Sequence, residues 1–308
     1  MSLASIVGHE RPLAALRRLL STRRLPPALL FAGPRGVGKK KAALALGRAL
    51  NCLAPAMDGD SCGECDACVQ AAKGLDADVR LIDADYQAAL LEEDAAKQRT
   101  LHVDTVRAAI ADVEMRSLLG RRKTAILDDA HLLVPAAANA MLKALEEPPP
   151  GTLWILVTHQ SERLLPTIRS RCHLLRFGPL APADVLRVLR AEGRDDPGAE
   201  RASEDCEGSV ARALSLLDAA APDPSEWLAD PLAPFRLAEG LPRELHLQRA
   251  LVEEHLARMS RHLLRGPRSA AARSALRELA RLRAALASNV DPRLTLELAA
   301  LRLQALSK

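Results

Sequence analysis

Three thiols fall within seven residues, at Cys62, Cys65 and Cys68, and a fourth, Cys52, precedes them across nine intervening residues. Two residues between ligands let successive thiolates turn toward one ion, and Gly63 supplies a turn between the first pair. Four thiolates satisfy tetrahedral Zn²⁺ and close its shell, so Cys52, Cys62, Cys65 and Cys68 read as a structural zinc module with no position left for catalysis. An iron–sulfur cluster shares the C-x2-C-x2-C run, but it usually takes its fourth cysteine downstream with a proline after it, and neither is present. A thiol cluster without metal is the remaining reading. Cys172 and Cys206 stand alone and read as core or partly exposed thiols.

A second group of residues suits phosphate. Gly33-Pro34-Arg35-Gly36-Val37-Gly38-Lys39 has the form G-x4-G-K, after an apolar strand and before a helix. Gly33, Gly36 and Gly38 let backbone N–H groups close on phosphate oxygens, the helix N-terminus adds positive potential, and Lys39 would reach the terminal phosphates. The next position calls for a Ser or Thr hydroxyl to ligate Mg²⁺. It holds Lys40, with Lys41 following, and an ammonium has no lone pair to give a metal. Asp128, at the end of another apolar strand, is the natural carboxylate for the metal; Asp129 beside it is one methylene shorter than the Glu such ATPases use to orient water. Both departures argue against hydrolysis by this chain alone and weigh against ATP binding. The alternative is a loop that only packs, its lysines solvated or paired to Asp128.

These residues need a scaffold, and the apolar pattern supplies one. Leu29–Ala32, Thr124–Leu127 and Leu153–Thr158 read as buried strands; Pro12–Leu20, Lys39–Leu50, Val103–Leu118 and Ala136–Glu147 read as helices between them. Alternation of the two predicts an α/β fold on a parallel sheet. Pro148-Pro149-Pro150 stops the last of these helices. After Phe177-Gly178-Pro179 the strand signal fades. Residues 182–219 read as a small helical unit, Pro222–Pro234 is rich in Pro and Asp, and from about Leu245 the chain is Leu/Ala/Arg at helical spacing, broken at Gly266-Pro267. Asp291-Pro292 marks one more helix start, with Asp as N-cap and Pro at the first helical position.

The bulk composition excludes several classes. With 308 residues, 48% hydrophobic and 27% charged, the chain is globular and long enough for two or three domains. A formal net charge of +4 and a pI near 8.8 are too weak alone to mark a nucleic-acid binder, and aromatics at 2% leave little for base stacking. The sequence holds no apolar run of membrane-spanning length, and no apolar segment follows a basic start, so a reducing, cytoplasmic setting is expected.

The motifs join in one order: Ile6-Val7-Gly8-His9-Glu10, the loop Gly33–Lys39, the cysteine module, Asn139-Ala140-Met141-Leu142-Lys143-Ala144-Leu145-Glu146-Glu147-Pro148-Pro149, and Ser170-Arg171-Cys172. Over at least residues 3–178 this resembles the bacterial clamp-loader branch of AAA+ proteins. The resemblance implies a P-loop AAA+ domain over 1–178 carrying the zinc module at 52–68, a helical lid over 179–220 and an all-α collar over 221–308. It implies a five-subunit ring with motor (tau/gamma) and delta subunits, which opens the sliding clamp and places it on primed DNA, driven by ATP. Within the branch the chain resembles the delta-prime type: the altered loop, the Asp128-Asp129 pair, the lid segment Gly208-Ser209-Val210-Ala211-Arg212 with its arginine one place late, the collar segment Asn289-Val290-Asp291-Pro292-Arg293-Leu294, and an end without the motor's extension. Lys39 then corresponds to the loop lysine, Asp128 to the former metal carboxylate, Thr158 to the polar residue ending the third strand, and Arg171 to the arginine that reaches a neighbour's ATP site. On chemistry alone Arg171 could equally cap a helix or pair with a carboxylate. An ATP-hydrolysing motor-type subunit and a zinc-dependent nucleic-acid binder are the alternative functions.

Overall fold

The computed structural model describes residues 2–307 apart from 23, 75, 77, 96, 97, 99, 116, 118–121, 196, 197, 219–235, 237, 240, 242–244, 266–268, 288 and 289. It divides into two compact units, one of residues 1–195 with 207–212, the other of 196–206 with 213–308.

The first unit is built on five parallel strands: β1 (Ala28–Ala32), β2 (Val79–Ile82), β3 (Lys123–Leu127), β4 (Thr152–Thr158) and β5 (His173–Arg176), in the order β2-β3-β4-β1-β5. Side chains alternate across a strand, and both faces are covered. Leu29, Phe31, Ile126, Ile155 and Val157 pack under α1 (Glu10–Thr22) and α2 (Lys39–Asn51), against Leu13, Leu16 and Leu46. Leu30, Leu127, Trp154 and Leu156 pack on the other face under α5 (Val103–Glu114) and α6 (Pro135–Glu146), against Val106, Val113 and Met141. Burial on both faces is why β1, β3 and β4 read as unbroken apolar runs. Each begins one residue before its expected start.

The edge strands β2 and β5 gave no such run. Arg80 in β2 is exposed, and in β5 only Leu175 is buried. The remaining helices of this unit are α3 (Asp66–Ala72), α4 (Ala84–Leu91), α7 (Pro166–Arg171) and α8 (Pro182–Ala191). The helix expected to reach Leu118 stops at Glu114; residue 118 itself lies outside the described residues.

In the second unit, helices Leu245–Arg265, Ala270–Ala287 and Pro292–Ser307 share a core of Val252, Leu256, Met259, Leu279, Leu286 and Leu296. The last begins as expected: Asp291 accepts from the Leu294 N–H at 3.1 Å, and Pro292 holds the first helical position. The Pro222–Pro234 stretch, the Gly266-Pro267 break and Asn289 lie outside the described residues. Among the described residues no helix is long and apolar enough to cross a membrane.

Candidate nucleotide and metal sites

β1 runs straight into the phosphate loop, and α2 leaves it from Lys39 with Gly38 as N-cap in the left-handed region (φ 104°). Gly33 is needed for a close approach: a Cβ there would stand 1.9 Å from the Phe177 carbonyl oxygen. The loop is braced from two sides. His9 Nε2 donates to the Val37 carbonyl at 2.7 Å, and the Val210 N–H donates to the Gly36 carbonyl at 3.0 Å. Lys39 is buried and folds back on the loop, donating to the carbonyls of Gly33 at 2.8 Å and of Pro34. Burial draws its pKa down to about 8, against the pull of Asp128 and Asp129, with Arg35 adding to the depression.

Lys40 meets the carboxylates that a metal would use. Its ammonium lies 2.8 Å from Asp128 Oδ2 and 3.4 Å from Asp83 Oδ2, bridging two carboxylates across the ends of β3 and β2. Burial lowers its pKa, but the hydrogen bond and charge of Asp128, with Asp83 behind it, outweigh that and leave it raised. The Asp128 carboxylate is thus paired with the chain's own cation. Lys41 points away and pairs with Glu192.

Asp129 and Thr158 face a different group. Asp129 sits in the left-handed region (φ 46°), with Oδ1 3.4 Å from His159 Nδ1. Thr158 Oγ1 accepts from the Gln160 N–H at 3.0 Å and lies 3.4 Å from His131 Nδ1. His131 is held below its ordinary pKa by burial first, then by the neighbouring His159, against the pull of Asp129.

The four cysteines form a separate centre at the far end of α2, about 20 Å along that helix from the loop at 1.5 Å per residue. Cys52 caps the helix, and Cys65 and Cys68 flank the start of α3. Their sulfurs stand 3.5 Å (Cys52–Cys62), 3.9 Å (Cys52–Cys65), 3.7 Å (Cys52–Cys68) and 4.0 Å (Cys62–Cys68) apart. A tetrahedral zinc with bonds of about 2.3 Å sets its sulfurs about 3.8 Å apart, so the four thiols fit one such ion. Backbone N–H groups of Leu53, Cys62 and Cys65 point at the sulfurs, as suits thiolates. Asp60, inside the module, is buried and accepts from the N–H groups of Leu3 at 3.0 Å and Ala4 at 2.8 Å, tying the module to the start of the chain.

Arg171 ends α7, and its guanidinium donates to the Thr167 carbonyl and pairs with Glu146 at the end of α6. β5 follows at once, with His173 level with Leu29. The phosphate loop leaves β1 beyond Ala32, at the other end of these parallel strands, so Arg171 and the loop lie at opposite strand ends, at least about 10 Å apart along the strands.

Lys39, Lys40, Asp128, Asp129 and Thr158 therefore gather at one end of the strands, while the cysteines and Arg171 stand elsewhere. Asp83, His131, His159 and Asp60 were missed by sequence reasoning. Asp83 carries a weak signal as the N-cap of α4, accepting from the Tyr86 N–H; the others carry none.

A family model described as DNA polymerase III, delta subunit, matches residues 8–181. DNA polymerase III subunit gamma/tau of Mycobacterium tuberculosis is 36% identical over 196 residues, 62% of this chain and 32% of that protein. DNA polymerase III subunit delta' of Pseudomonas aeruginosa is 37% identical over 185 residues, 55% of this chain and 53% of that protein. The chain thus spans about a third of the first relative's length and half of the second's. The crystal structure of a gamma-subunit-related protein from Thermotoga maritima matches with a TM-score of 0.53 and 17% identity, over 96% of this chain and 99% of that one, a likeness of fold. The matched residues 8–181 are more than half of the 308 and take in every strand of the sheet, and on that ground the chain belongs to the bacterial DNA polymerase III clamp-loader family of AAA+ proteins.

Proposed function

We propose that the chain is a delta-prime-type subunit of the clamp loader, one that does not hydrolyse ATP itself. It joins motor (tau/gamma) and delta subunits in a ring that loads the sliding clamp on primed DNA, and it supplies Arg171 to the ATP site of a neighbouring motor subunit. The cysteine module carries structural zinc. The observation that carries this reading is Lys40 Nζ lying 2.8 Å from Asp128 and 3.4 Å from Asp83, where hydrolysis would need Mg²⁺. Phosphoryl transfer gains its rate from metal and cation charge on the transferring oxygens, and an ammonium tied up by two carboxylates supplies little of that. Arg171 suits a task in trans because it sits at the strand ends away from its own loop, on a half-exposed end of α7, and a guanidinium is planar, always charged and able to contact phosphate oxygens bidentately.

A motor-type subunit is the second reading, supported by the likeness to gamma/tau over 62% of this chain against 55% for delta'. One experiment separates the two. The pure chain is assayed with ATP and Mg²⁺, then mixed with the motor and delta subunits of its own cell and assayed with primed DNA and clamp. The proposal expects no turnover by the chain above that of its Lys39→Ala variant, and DNA-stimulated ATPase only in the mixture. Turnover by the chain alone that Lys39→Ala abolishes would establish the motor instead.

A further inference from the structure

Beside the phosphate loop, three donor atoms converge that no role above uses together. Asp129 and His131 lie in the turn after β3, and His159 directly follows β4. These strands are paired neighbours, Leu127 level with Leu156, so the two turns emerge side by side. Asp129 Oδ1 is 3.4 Å from His159 Nδ1 and 3.9 Å from His131 Nδ1, and one ligand atom from each of the three residues lies within 4.8 Å of the other two. The imidazoles meet edge to face with centroids 4.1 Å apart. The His131 side chain is buried, that of His159 mostly so, and Asp129 opens to solvent.

We infer that Asp129, His131 and His159 bind one transition-metal dication, zinc by preference, separate from the cysteine centre. Two imidazoles and a carboxylate suit Zn²⁺, Co²⁺ or Ni²⁺; Mg²⁺ and Ca²⁺ demand a shell of oxygens. With bonds of about 2.0–2.1 Å, tetrahedral donors stand about 3.4 Å apart. The Asp129–His159 pair already has that spacing, and the Asp129–His131 pair closes by about half an ångström through side-chain rotation.

The proton inventory is simple. His159 Nε2 now faces Gln160 Nε2 at 3.3 Å, which makes Nε2 the acceptor and Nδ1–H the donor toward Asp129. Coordination through Nδ1 requires the other neutral tautomer, with Nε2–H donating to Gln160 after the amide turns its Oε1 inward. No net proton is released from His159. Such an outer partner typically contributes tenfold or more to metal affinity. Three protein ligands leave a fourth position open on the solvent side of Asp129, unlike the closed thiolate shell. An ion there would tie the ends of β3 and β4 beside the loop while Lys40 occupies Asp128 on the other side.

The test uses the full chain with its cysteine centre loaded, titrated with Co²⁺ and followed by calorimetry and visible absorption. Expected is one further ion per chain, with weak d–d bands and no thiolate charge-transfer absorption. His159→Ala and Asp129→Asn should each weaken it well beyond tenfold, and Gln160→Leu about tenfold, with zinc at the cysteines and circular dichroism unchanged. His159 and Asp129 carry the test because the buried His131 is the variant most prone to misfold. The inference is overturned if no further ion binds, if Co²⁺ only exchanges into the thiolates with intense charge-transfer bands, or if folded His159→Ala binds as tightly as the parent.

Discussion

Replacing Lys40 with Thr should turn a self-contained ion triad into a metal-dependent one. The perturbation removes an ammonium 2.8 Å from Asp128 and 3.4 Å from Asp83 and puts a hydroxyl where a loop of this kind normally carries one. A hydrogen bond to a charged group contributes about 1.5–3 kcal/mol. The Lys40 side chain is 44% exposed, which pulls its share toward the roughly 0.2–1 kcal/mol of a screened surface pair. Asp128 and Asp83 are only 14% and 16% exposed, so the variant leaves two mostly buried carboxylates without the ammonium that bridges them. The two effects together place the loss at about 1–2 kcal/mol in chelator. Mg²⁺ should then restore it: an ion present at ten times its dissociation constant contributes about 1.4 kcal/mol. Urea unfolding followed by the fluorescence of Trp154, buried in β4, in a Trp227→Phe background reads the sheet unit directly. The parent should be indifferent to Mg²⁺. Lys40→Met should lose stability like Lys40→Thr but gain nothing from the metal. If the parent is stabilised by Mg²⁺ as much as Lys40→Thr is, or if Lys40→Thr is no weaker than the parent in chelator, the ammonium is not standing in for a metal and the reasoning fails.

Other substitutions probe the rest of the molecule. Cys65→Ser should weaken Co²⁺ binding at the cysteine centre and lower its charge-transfer absorption while the far-ultraviolet circular dichroism of the sheet unit persists. Gly33→Ala should cost at least about 3 kcal/mol in urea unfolding, since its Cβ would meet the Phe177 carbonyl at 1.9 Å; Gly38→Ala, with open space but φ 104°, should cost about 1–2 kcal/mol. His255 in the second unit is buried, and burial, helped by Arg258, pulls its pKa to about 4. Its folded value lies below the ordinary 6.5, so the unfolded chain takes up the proton first as pH falls. Stability of that unit should therefore drop between pH 6.5 and 4, by up to about 3 kcal/mol, and His255→Leu should flatten the profile in pH-dependent melts. Arg171→Ala should change stability by less than about 1 kcal/mol, because the pair with Glu146 is exposed. It should nonetheless cut the ATPase of the reconstituted complex severalfold, with Arg171→Lys a poor rescue.

What could be read from the sequence was local. The thiol spacing, the glycines before Lys39 and the Asp291-Pro292 start each fix their geometry within a few residues, and the doubly buried strands announce themselves as apolar runs. The pairing of Lys40 with Asp128 was one of two readings open beforehand. Its second partner could not be read, because Asp83 is 43 positions from Lys40 and approaches it only when β2 pairs with β3, Ile82 level with Leu127. Asp60 acts on backbone groups 57 and 56 positions away. His131 and His159 meet only because β3 and β4 are neighbours. Edge strands β2 and β5 escaped for the opposite reason: half-solvated, they carry Arg80, His173 and Arg176, and lack the apolar run that marks a strand buried on both faces.

The substitution at position 40 also bears on how such a subunit could behave among moving partners. Mg²⁺ enters and leaves a phosphate loop with its nucleotide, so the loop's arrangement follows the nucleotide state. An ammonium on the first turn of α2 cannot leave; its local concentration at Asp128 and Asp83 is fixed by the chain itself. The brace extends outward, since His9 holds Val37 and Val210 holds Gly36. A ligand changes a conformation only through a difference in affinity between two states, and a loop already tied at Lys39, Lys40, Val37 and Gly36 offers little such difference. On the proposed reading, this unit would keep both ends of its sheet in one arrangement throughout a cycle, Arg171 with them. A cation that must meet a neighbour's phosphate at the right distance gains most from being carried by a part that does not move. On that reading Lys40 in the hydroxyl's place and Arg171 at the other end of the sheet would work together: the loop would not switch, and the sheet it anchors would be a fixed mount for chemistry at another subunit's site.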